Sequence, residues 1–496
     1  MLFLVKVFPE IIIKSRPVRQ RFVRTLRKNI RVTLQDLDSE LRVVGEWDTI
    51  EVTTAITAEE VLLQMVNRLA CIPGISVFLE TQKHPLPDMQ GIVDLTLQCY
   101  AEQLAGKSFA VRCKRAGRHD FRSVDVERIV GSGLMLGTSA AKVKLEQPDV
   151  TVQLEIRHQE LFIVRRQHQG LGGFPLGCQD AVLSLISGGF DSAISSYLCI
   201  KRGLQTHYCF FNLGGKAHEL AVKELALFLW MKYHTSHRVK FVTVPFENVI
   251  AEILGKIDNA QMGVVLKRMM LRAAEQVAKK LKIEALVTGE SVAQVSSQTL
   301  ANLAVIDLAV QFLVLRPLCT MDKQDIIDMS RRIGTEEFSK NIPEYCAVIS
   351  NKPTTRAKRR LIEYQETKFD FTILDGSIKN ANYQLITDLL DSDISATTDV
   401  SVESMLAPGA TVIDIRHPME AEARPFTVHA MANSVQVLTI PFYQLRTAFN
   451  KLDRNQHFLL YCEKGMMSRL HAAHLRDEGF ANVSVFEPSE RRIASK

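Results

Sequence analysis

The sequence predicts an α/β protein of several domains, one of them built on a doubly wound parallel sheet. The chain has 496 residues, more than one hydrophobic core usually holds. Its composition, 46% hydrophobic and 23% charged residues, is that of a globular protein. Strand-like and helix-like segments alternate from residue 181 to residue 318, and this alternation is typical of a parallel sheet with helices on both faces.

The N-terminal segment "MLFLVKVF" predicts a strand, because charge interrupts its apolar residues and it lacks the pattern of a signal peptide. No apolar run reaches the roughly 18 residues needed to span a bilayer. The nine cysteines include no C-x-x-C pair, which argues against a zinc ribbon and against a secreted disulfide framework. We therefore expect a cytoplasmic protein with no membrane partner and no structural metal site.

A basic helix is predicted next, between Lys14 and Leu34. Its cations interleave with apolar residues at helical spacing, so that one face can pack while the others stay positive. Such a helix can follow a phosphate backbone, but a solvated charged face explains the same pattern. The net charge of +6 is modest and does not decide between the two interpretations.

Two segments have the composition of domain boundaries. "HQGLGGFPLGCQD", residues 168–180, contains four glycines and a proline. Residues 380–411 contain no lysine or arginine, and acidic side chains there lie among Ser, Thr and Ala, which predicts a tether.

The stretch between these boundaries opens with a possible phosphate cradle. The apolar strand "AVLSLI" leads into Ser187-Gly188-Gly189-Phe190-Asp191-Ser192 and then into a helix-like segment. Glycines let the backbone approach a ligand closely, and the free N–H groups of the following helix favour an anion. A Walker loop would add a lysine, whereas Asp191 suits a magnesium-bridged pyrophosphate better. An isolated Gly-Gly turn would more often be structural, but the strand–loop–helix setting favours a binding loop.

These six residues match the PP-loop pattern of ATP pyrophosphatases, and the resemblance extends along the whole chain. Further motifs are "CKRAGRHDFRSVDVERIVG", "CFFNLGG", "AQMGVVLKRMMLRAA", "VTGESVAQVSSQTLANL", "RPLCTMDKQDII", "PEYCAVIS" and "YCEKGMMSRLHAAHLRDEGF". Together they resemble the bacterial tRNA 4-thiouridine synthetase family in its long form. The chain departs from the expected pattern at Phe174 and in the poorly patterned residues 380–410.

The resemblance implies a specific domain order. A ferredoxin-like domain would occupy residues 1–60, a THUMP RNA-binding domain 61–166 and a PP-loop ATP pyrophosphatase domain 175–380. An acidic linker, 381–405, would lead to a small α/β rhodanese domain, 406–496.

The same resemblance implies an activity, cofactors and partners. The enzyme would use ATP and Mg²⁺ to adenylate the uridine at position eight of tRNA and would replace its C4 oxygen with persulfide sulfur. A cysteine desulfurase would donate the sulfur, and a small sulfur-carrier protein of thiamine thiazole synthesis would be a second acceptor.

Site residues transfer with these motifs. Asp191 and Lys323 would act on the pyrophosphate, Lys323 supplying the cation that the loop lacks. The nucleotide would also contact Leu185, Ile186, Ser187, Gly188, Gly189, Ser192, Lys267, Gly289 and Gln298. RNA would contact a basic group around Phe121, consisting of Arg112, Lys114, Arg115, Arg118 and His119.

Two cysteines receive redox roles by the same resemblance. Cys462 follows the strand-like "HFLLY" and precedes a loop and helix that resemble the rhodanese active-site loop, where Lys464 and Arg469 would favour the thiolate. It would carry the persulfide. Cys346 would resolve the spent sulfur linkage by forming a reversible disulfide with Cys462.

Two other functions fit parts of the sequence. A relative of the same superfamily could thiolate another base or amidate a small acid, although a THUMP domain joined to a rhodanese loop argues against it. A sulfur-relay protein with a vestigial ATP site is the second, and the intact Asp191 and Lys323 argue against that one.

Overall fold

The computed structural model divides the chain into two units, Met1–Cys178 with Lys201–Gly203, and Gln179–Ile200 with Leu204–Lys496. The residues that it describes, and to which all structural statements below refer, are 1–45, 47–213, 215–342, 352–388, 401–406, 410–416, 421–422, 425–426, 435–441, 445, 448–462, 466–477 and 479–488.

The first unit contains one eight-stranded sheet in the order β2-β3-β1-β4-β8-β7-β5-β6. Its elements are β1 Leu2–Val7, α1 Pro9–Ile12, α2 Arg16–Leu34, β2 Arg42–Val44, β3 Thr49–Thr53, α3 Glu59–Ala70, β4 Ile75–Pro85, α4 Met89–Leu104, β5 Ser108–Ala116, α5 Ser123–Gly137, β6 Lys142–Val143, β7 Val150–Arg157 and β8 Glu160–Gln169.

The basic helix of the sequence analysis is α2, and its apolar spacing does bury one face. Phe22, Leu26 and Ile30 are almost or fully inaccessible and pack with β1, β3 and α3. A second core lies under α4 and α5. Strand β4 pairs with β1 on one side and with β8 on the other, so the ferredoxin-like and THUMP parts share a single sheet.

Phe174, where the chain departs from its expected pattern, belongs to this first core. Its ring meets that of Phe22 edge-on, with centroids 5.7 Å apart, and Arg202 lies 4.6 Å from its centroid. Phe174 therefore packs in the hydrophobic core of the first unit, although it lies in the glycine-rich segment that the sequence marks as a boundary.

The second unit holds two sheets. The first has the order β13-β12-β9-β10-β11-β14, parallel except for β14, and the second has the order β15-β19-β18-β16-β17, parallel throughout.

The strands of the six-stranded sheet and the helices that accompany them are, in chain order, β9 Ala181–Leu185, α6 Phe190–Lys201, β10 Gln205–Asn212, α7 Gly215–Tyr233, β11 Lys240–Pro245, α8 Glu247–Lys256, α9 Met262–Leu281, β12 Ala285–Val287, α10 Leu300–Asp307, β13 Leu313–Leu315, α11 Lys323–Ile333, α12 Glu336–Asn341, α13 Arg359–Glu366, α14 Phe371–Lys379 and β14 Asn382–Leu385. The five-stranded sheet adds β15 Val402–Glu403, β16 Thr411–Asp414, β17 Gln436–Thr439, β18 Phe458–Tyr461, α15 Met466–Asp477 and β19 Val483–Phe486.

Both faces of the six-stranded sheet are covered, as a doubly wound arrangement requires. Along β10, Tyr208 and Phe210 pack with α7, whereas Cys209 and Phe211 pack with α8 and α9. Alternate side chains of a strand point to opposite faces, so this strand is buried on both. The predicted doubly wound parallel sheet is confirmed.

Both ends of the segment predicted as an acidic linker, residues 381–405, form strands of the two sheets. Asn382–Leu385 pairs antiparallel with β11, and Val402–Glu403 pairs with β19. The interval between the two sheets is therefore shorter than the predicted 381–405, and residues 389–400 within it lie outside the described part. Across the described residues, no helix combines the length and the apolar character needed to cross a membrane.

Candidate active site

The glycine-rich loop joins β9 to α6 and is held by its own side chains. Ser192 Oγ accepts a hydrogen bond from the Ser187 N–H at 3.2 Å and donates one to the Gly189 carbonyl at 3.0 Å. Gly188 has φ +93°, a left-handed conformation that favours glycine. The sequence therefore folds into a tight turn at the carboxyl end of a central strand, where ligands bind in open parallel sheets.

Asp191, in the first turn of α6, is held from two directions. Its Oδ1 accepts a hydrogen bond from Lys323 Nζ at 2.7 Å, and its Oδ2 accepts one from Gln294 Nε2 at 2.9 Å. Lys323 is the first residue of α11. The structure thus brings the predicted carboxylate and the predicted lysine together.

A cavity of about 440 Å³ opens beside this loop. It is lined by nine of the predicted nucleotide residues, which are Leu185, Ile186, Ser187, Gly189, Asp191, Ser192, Lys267, Gly289 and Gln298. Gly188 is not in the lining, and a Cβ atom added there would lie 2.7 Å from Ile342 and 3.0 Å from Val222. Lys323 approaches the cavity through its contact with Asp191.

Gly289 allows the closest backbone approach in the site. A Cβ atom added at Gly289 would lie 2.6 Å from the carbonyl carbon of Asp191 and 2.7 Å from the Ser192 nitrogen. These are backbone atoms and cannot move aside as a flexible side chain would. The loop after β12 therefore packs directly on the first turn of α6.

A buried charge network, which the sequence analysis missed, fixes Lys267 in the wall of the cavity. Lys267 Nζ donates to Glu290 Oε1 at 2.6 Å, and Arg316 Nε donates to Glu290 Oε2 at 2.7 Å. Burial opposes the charge of Glu290, but the two cations outweigh that effect and hold the pKa of its carboxyl below its ordinary value of 4.5. Both carboxylate oxygens are thus committed to the protein's own cations.

Three lining residues supply further polar atoms: His218 and Gln294, which the sequence analysis missed, and Gln298, which it predicted. His218 Nε2 lies 3.2 Å from the Ser187 carbonyl, so this nitrogen carries a proton. Burial lowers the pKa of His218, and the Ser187 carbonyl partly opposes that shift. The amide oxygens of Gln294 and Gln298 are buried without a hydrogen-bond partner among the described residues. Gln294 lies in the quoted motif "VTGESVAQVSSQTL", so its position could have been found there.

Two acidic side chains among the described residues line the cavity, Glu290 and Asp191, and each is a candidate ligand for Mg²⁺ bound with a nucleotide. Glu290 is occupied by Lys267, Arg316 and Thr288. Asp191 accepts one hydrogen bond on each oxygen and keeps a lone pair on each for a cation. Asp191 is therefore the carboxylate that fits this ion.

Cys462 lies directly after β18 and is buried, with 6% of its surface exposed. The backbone N–H of Ser468 and its hydroxyl both lie 3.3 Å from Cys462 Sγ. Ser468 is in the first turn of α15, whose free N–H groups favour a negative charge. The sulfur is thus placed where a thiolate is stabilised.

Of the two cations expected beside Cys462, the structure describes Arg469 and not Lys464. Arg469 Nη2 pairs with Glu487 Oε2, so its charge is shared with a carboxylate. Lys464 lies outside the described residues, and so does Cys346. The described residues nearest to Cys346 along the chain are Ile342 and Lys352, four positions before it and six after.

Burial suppresses the reactivity of several other cysteines. It raises the pKa of Cys199 to about 12. It also raises the pKa of Cys113 to about 11. Cys209 is fully buried, and its pKa is raised as well. These thiols remain protonated at neutral pH, which agrees with a structural role.

The basic residues expected to bind RNA divide into two groups. Arg112 and Lys114 alternate along β5 with buried Cys113, so they lie on the exposed face of that strand. At the strand's end, Arg115 Nη1 lies 2.9 Å from His119 Nδ1, and the His119 ring lies against Phe121 with centroids 5.1 Å apart. Arg118 is exposed nearby in sequence.

Comparison with known families agrees with this arrangement along the chain. Four family models match, described as ThiI ferredoxin-like domain over residues 2–78, THUMP domain over 87–164, thiamine biosynthesis protein (ThiI) over 177–371 and rhodanese-like domain over 398–489. The first range extends past residue 60, where the sequence had placed a boundary, and it includes the start of β4, which pairs with β1.

Similar full-length relatives are known. A tRNA sulfurtransferase of Azotobacter vinelandii is 54% identical over 489 residues, covering 99% of this chain and 100% of the relative. One of Pseudomonas syringae pv. syringae is 52% identical with the same coverage.

Two solved structures share the fold. A 4-thiouridine synthetase in complex with RNA and ATP gives a TM-score of 0.68 at 23% identity, covering 77% of this chain and 99% of that one. A protein of Pyrococcus horikoshii gives a TM-score of 0.52 at 17% identity, covering 67% of this chain and all of that one.

The fold and the site define an enzyme that joins an RNA-binding module and a PP-loop domain to a rhodanese-like domain. With relatives this similar over its whole length, the chain belongs to the tRNA sulfurtransferase family.

Proposed function

We propose that this enzyme converts the uridine at position eight of tRNA into 4-thiouridine through an adenylated uridine. The observation that carries the proposal is the Asp191–Lys323 pair at the glycine-rich loop, at the edge of a cavity large enough for a nucleotide. ATP and Mg²⁺ fit this site, because the loop and the N-terminus of α6 favour phosphates and Asp191 keeps lone pairs for a cation. A cytoplasmic location is part of the proposal, since tRNA and ATP are found there.

Adenylation is needed because the C4 oxygen of uracil is a poor leaving group. That oxygen attacks the α-phosphorus of ATP, the bond to the β-phosphate oxygen breaks and pyrophosphate departs, while N3 of the base loses its proton. Lys323 is placed to stabilise the negative charge that develops on the departing pyrophosphate. The product is a base whose C4 substituent, AMP, can be displaced.

Sulfur then arrives on Cys462, loaded as a persulfide by a cysteine desulfurase. The terminal sulfur attacks C4 and AMP leaves, so that the base is joined to Cys462 through an S–S bond. The thiolate of Cys346 attacks Cys462 Sγ and releases 4-thiouridine, leaving a Cys346–Cys462 disulfide. An external dithiol reductant restores both thiols for the next turnover.

The resolving role of Cys346 has a direct test. After one turnover without reductant, peptide mapping under non-reducing conditions should show Cys346 linked to Cys462. The Cys346→Ser variant should complete at most one turnover, with Cys319→Ser as the control. Two free thiols after turnover, or full multiple turnover by Cys346→Ser, would return Cys346 to a structural role.

We propose that part of the tRNA-binding surface consists of Arg112, Lys114, Arg115, Arg118 and His119. Phosphate contacts dominate RNA affinity, and each one lost should reduce the slope of log affinity against log salt by about 0.7 to 0.9. Arg115→Ala and Arg118→Ala should therefore weaken tRNA binding and leave ATP affinity unchanged. The exposed Arg128 on α5 offers the matched control, Arg128→Ala. Binding that does not depend on salt would refute this assignment.

The function itself is tested by mass spectrometry of tRNA nucleosides from cells that lack the protein. We expect 4-thiouridine to be absent, to return with the wild-type chain and to stay absent with Asp191→Ala. The Asp191→Ala protein should still load persulfide on Cys462, because the two chemistries use different sheets. Persistent 4-thiouridine in the deletion cells, or its return with Asp191→Ala, would contradict the proposal.

Delivery of Cys462 sulfur to a small sulfur-carrier protein for thiazole synthesis is a second function. The family description "thiamine biosynthesis protein" over residues 177–371 favours it. Because this transfer needs Cys462 but no adenylated uridine, Asp191→Ala should keep it and Cys462→Ser should lose it. Thiamine-free growth of the two complemented strains separates these outcomes.

A further inference from the structure

A cluster of exposed cations lies beside the cavity, in the segment from Lys352 to Arg360, here called the rim segment. It contains five cations and no acidic residue, namely Lys352, Arg356, Lys358, Arg359 and Arg360. Within the described part of the chain, only Arg359 among them has a carboxylate in ion-pair distance, Glu363 at 2.7 Å. Four positive charges are thus left to the solvent.

The rim segment is fixed to the cavity wall by its backbone. The Thr354 N–H donates to the Ala260 carbonyl at 2.9 Å, and the fully buried Asn302 donates to the Thr354 carbonyl at 2.8 Å. Asn302 Oδ1 in turn accepts from the Ala357 N–H at 2.8 Å. This hydrogen bonding holds the cations in place instead of leaving them on a free loop.

Some residues of the rim segment line the cavity, and its charged side chains face the solvent. Pro353 and Thr354 line the cavity, whereas the five charged side chains of the segment are exposed and are not part of the lining. The cations therefore face the solvent and not a nucleotide inside the cavity. A ligand that they bind lies outside the cavity, next to the part of the rim segment that lines it.

An exposed aromatic ring continues this surface. Tyr364 has 60% of its surface exposed, and it lies four residues after Arg360 on α13, so both occupy one face of that helix. Lys368 Nζ lies 5.2 Å from the centre of the Tyr364 ring. The opposite face of α13 is the one that packs, through Ile362 and Glu366.

We propose that the rim segment and Tyr364 form an RNA-binding surface that holds the substrate strand at the mouth of the cavity. The cations would bind phosphates on either side of the reacting nucleotide, and Tyr364 would stack on an unpaired base. This inference rests on the proposed function, because a uridine that reacts inside the cavity must bring its neighbouring phosphates to the rim. Cations combined with an exposed aromatic ring favour RNA over an acidic protein partner, which would need no stacking surface.

The test uses the full chain and compares two triple variants with the same change in charge. The first, Arg356→Gln, Lys358→Gln and Arg360→Gln, removes three rim cations. The control, Arg238→Gln, Arg332→Gln and Lys379→Gln, removes three exposed cations outside the segment. Binding of unmodified tRNA is followed by fluorescence anisotropy over a range of salt, together with ATP affinity, binding to the cysteine desulfurase and single-turnover thiolation.

The rim variant should lose at least tenfold in tRNA affinity and reduce the salt slope by about two to three, since each phosphate contact contributes about 0.7 to 0.9. ATP affinity should stay within twofold of wild type. Tyr364→Leu should lower tRNA affinity about tenfold through lost stacking, and Tyr364→Phe should retain it. Because all these side chains are exposed, the melting temperatures should match that of the wild type.

The outcomes separate this inference from the proposed function. If the wild type thiolates tRNA and the rim variant binds and reacts as the control does, the surface assignment is wrong. If the rim variant loses binding to the cysteine desulfurase but not to tRNA, the partner is a protein and the assignment is also wrong. If the wild type fails to thiolate tRNA but binds it through the rim, the surface stands and the proposed function falls.

Discussion

Lys323 and Asp191 are 132 positions apart in sequence, yet their charged groups meet at 2.7 Å across the carboxyl edge of the six-stranded sheet. The Lys323 side chain is 39% exposed and that of Asp191 is 18% exposed. A pair this accessible contributes at most about 1 kcal/mol to stability. Its position beside the phosphate-binding loop therefore points to chemistry, not to folding.

The first prediction separates these two roles. Lys323→Met should lower the rate of tRNA thiolation by about 100-fold or more, as expected when one group that stabilises developing charge is removed. Its free energy of unfolding should change by less than about 1 kcal/mol. Single-turnover assays and urea unfolding measure the two quantities. Lys379→Met, at an exposed lysine, is the control, and a comparable loss of activity there would argue against a specific role for Lys323.

The second prediction concerns the close approach at Gly289. A methyl group there would overlap the backbone of Asp191 and Ser192, so Gly289→Ala should displace the loop and weaken ATP binding by at least tenfold. At Gly255, on α8, an added Cβ would meet nothing within 4 Å. Gly255→Ala should therefore leave ATP binding unchanged and keep or slightly raise stability. Isothermal titration with a non-hydrolysable ATP analogue compares them, and equal ATP affinities would refute the steric argument.

These contacts also show how far sequence reasoning reached. The strand β9, the loop and α6 are consecutive, so hydrophobic pattern and glycine spacing located them correctly. Gln294 and Glu290 act on Asp191 and Lys267 across the fold, and no local pattern indicates which long-range partner a polar residue will take. Strand β14 was missed for a similar reason: Asn382–Leu385 is polar for a strand and pairs only because β11 offers an open edge.

The third prediction follows from the buried carboxylate of Glu290. Its pKa is held below 4.5 by Lys267 and Arg316, so its contribution to stability is complete above about pH 4.5 and is lost as the pH falls through the lower folded-state pKa. Glu290→Gln removes the carboxylate that pairs with the half-buried Lys267 and Arg316, and Arg316 keeps only Asp307, so the change should cost about 3 kcal/mol at pH 7. The difference from wild type should shrink at pH values below 4.5. Urea unfolding at pH 7 and in the acid range measures it.

Asp307, the second carboxylate that pairs with Arg316, provides the control for Glu290. The side chain of Asp307 is 43% exposed, so Asp307→Asn should cost no more than about 1 kcal/mol at pH 7. Similar losses for Asp307→Asn and Glu290→Gln would mean that burial does not set the strength of this network.

The last prediction concerns the hydroxyl of Ser468, which lies 3.3 Å from Cys462 Sγ, as does the Ser468 backbone N–H. A hydrogen bond to a charged group contributes about 1.5 to 3 kcal/mol, so removing the hydroxyl should reduce the thiolate population of Cys462 about tenfold at neutral pH. Because the thiolate is the nucleophile, Ser468→Ala should slow iodoacetamide labelling of Cys462 and its loading as a persulfide by a similar factor. The backbone donor remains, so the reaction should be slowed and not abolished.

Peptide mass spectrometry can follow Cys462 separately, with the half-buried Cys319 as an internal reference. The matched control is Ser484→Ala, which removes a hydroxyl that contacts Ser401 and His457 in the same domain. Labelling of Cys462 in that variant should match wild type. Equal labelling rates in Ser468→Ala and wild type would mean that the N–H groups of α15 alone stabilise the sulfur, because the hydroxyl would then add nothing to the charge that the helix N-terminus already supports.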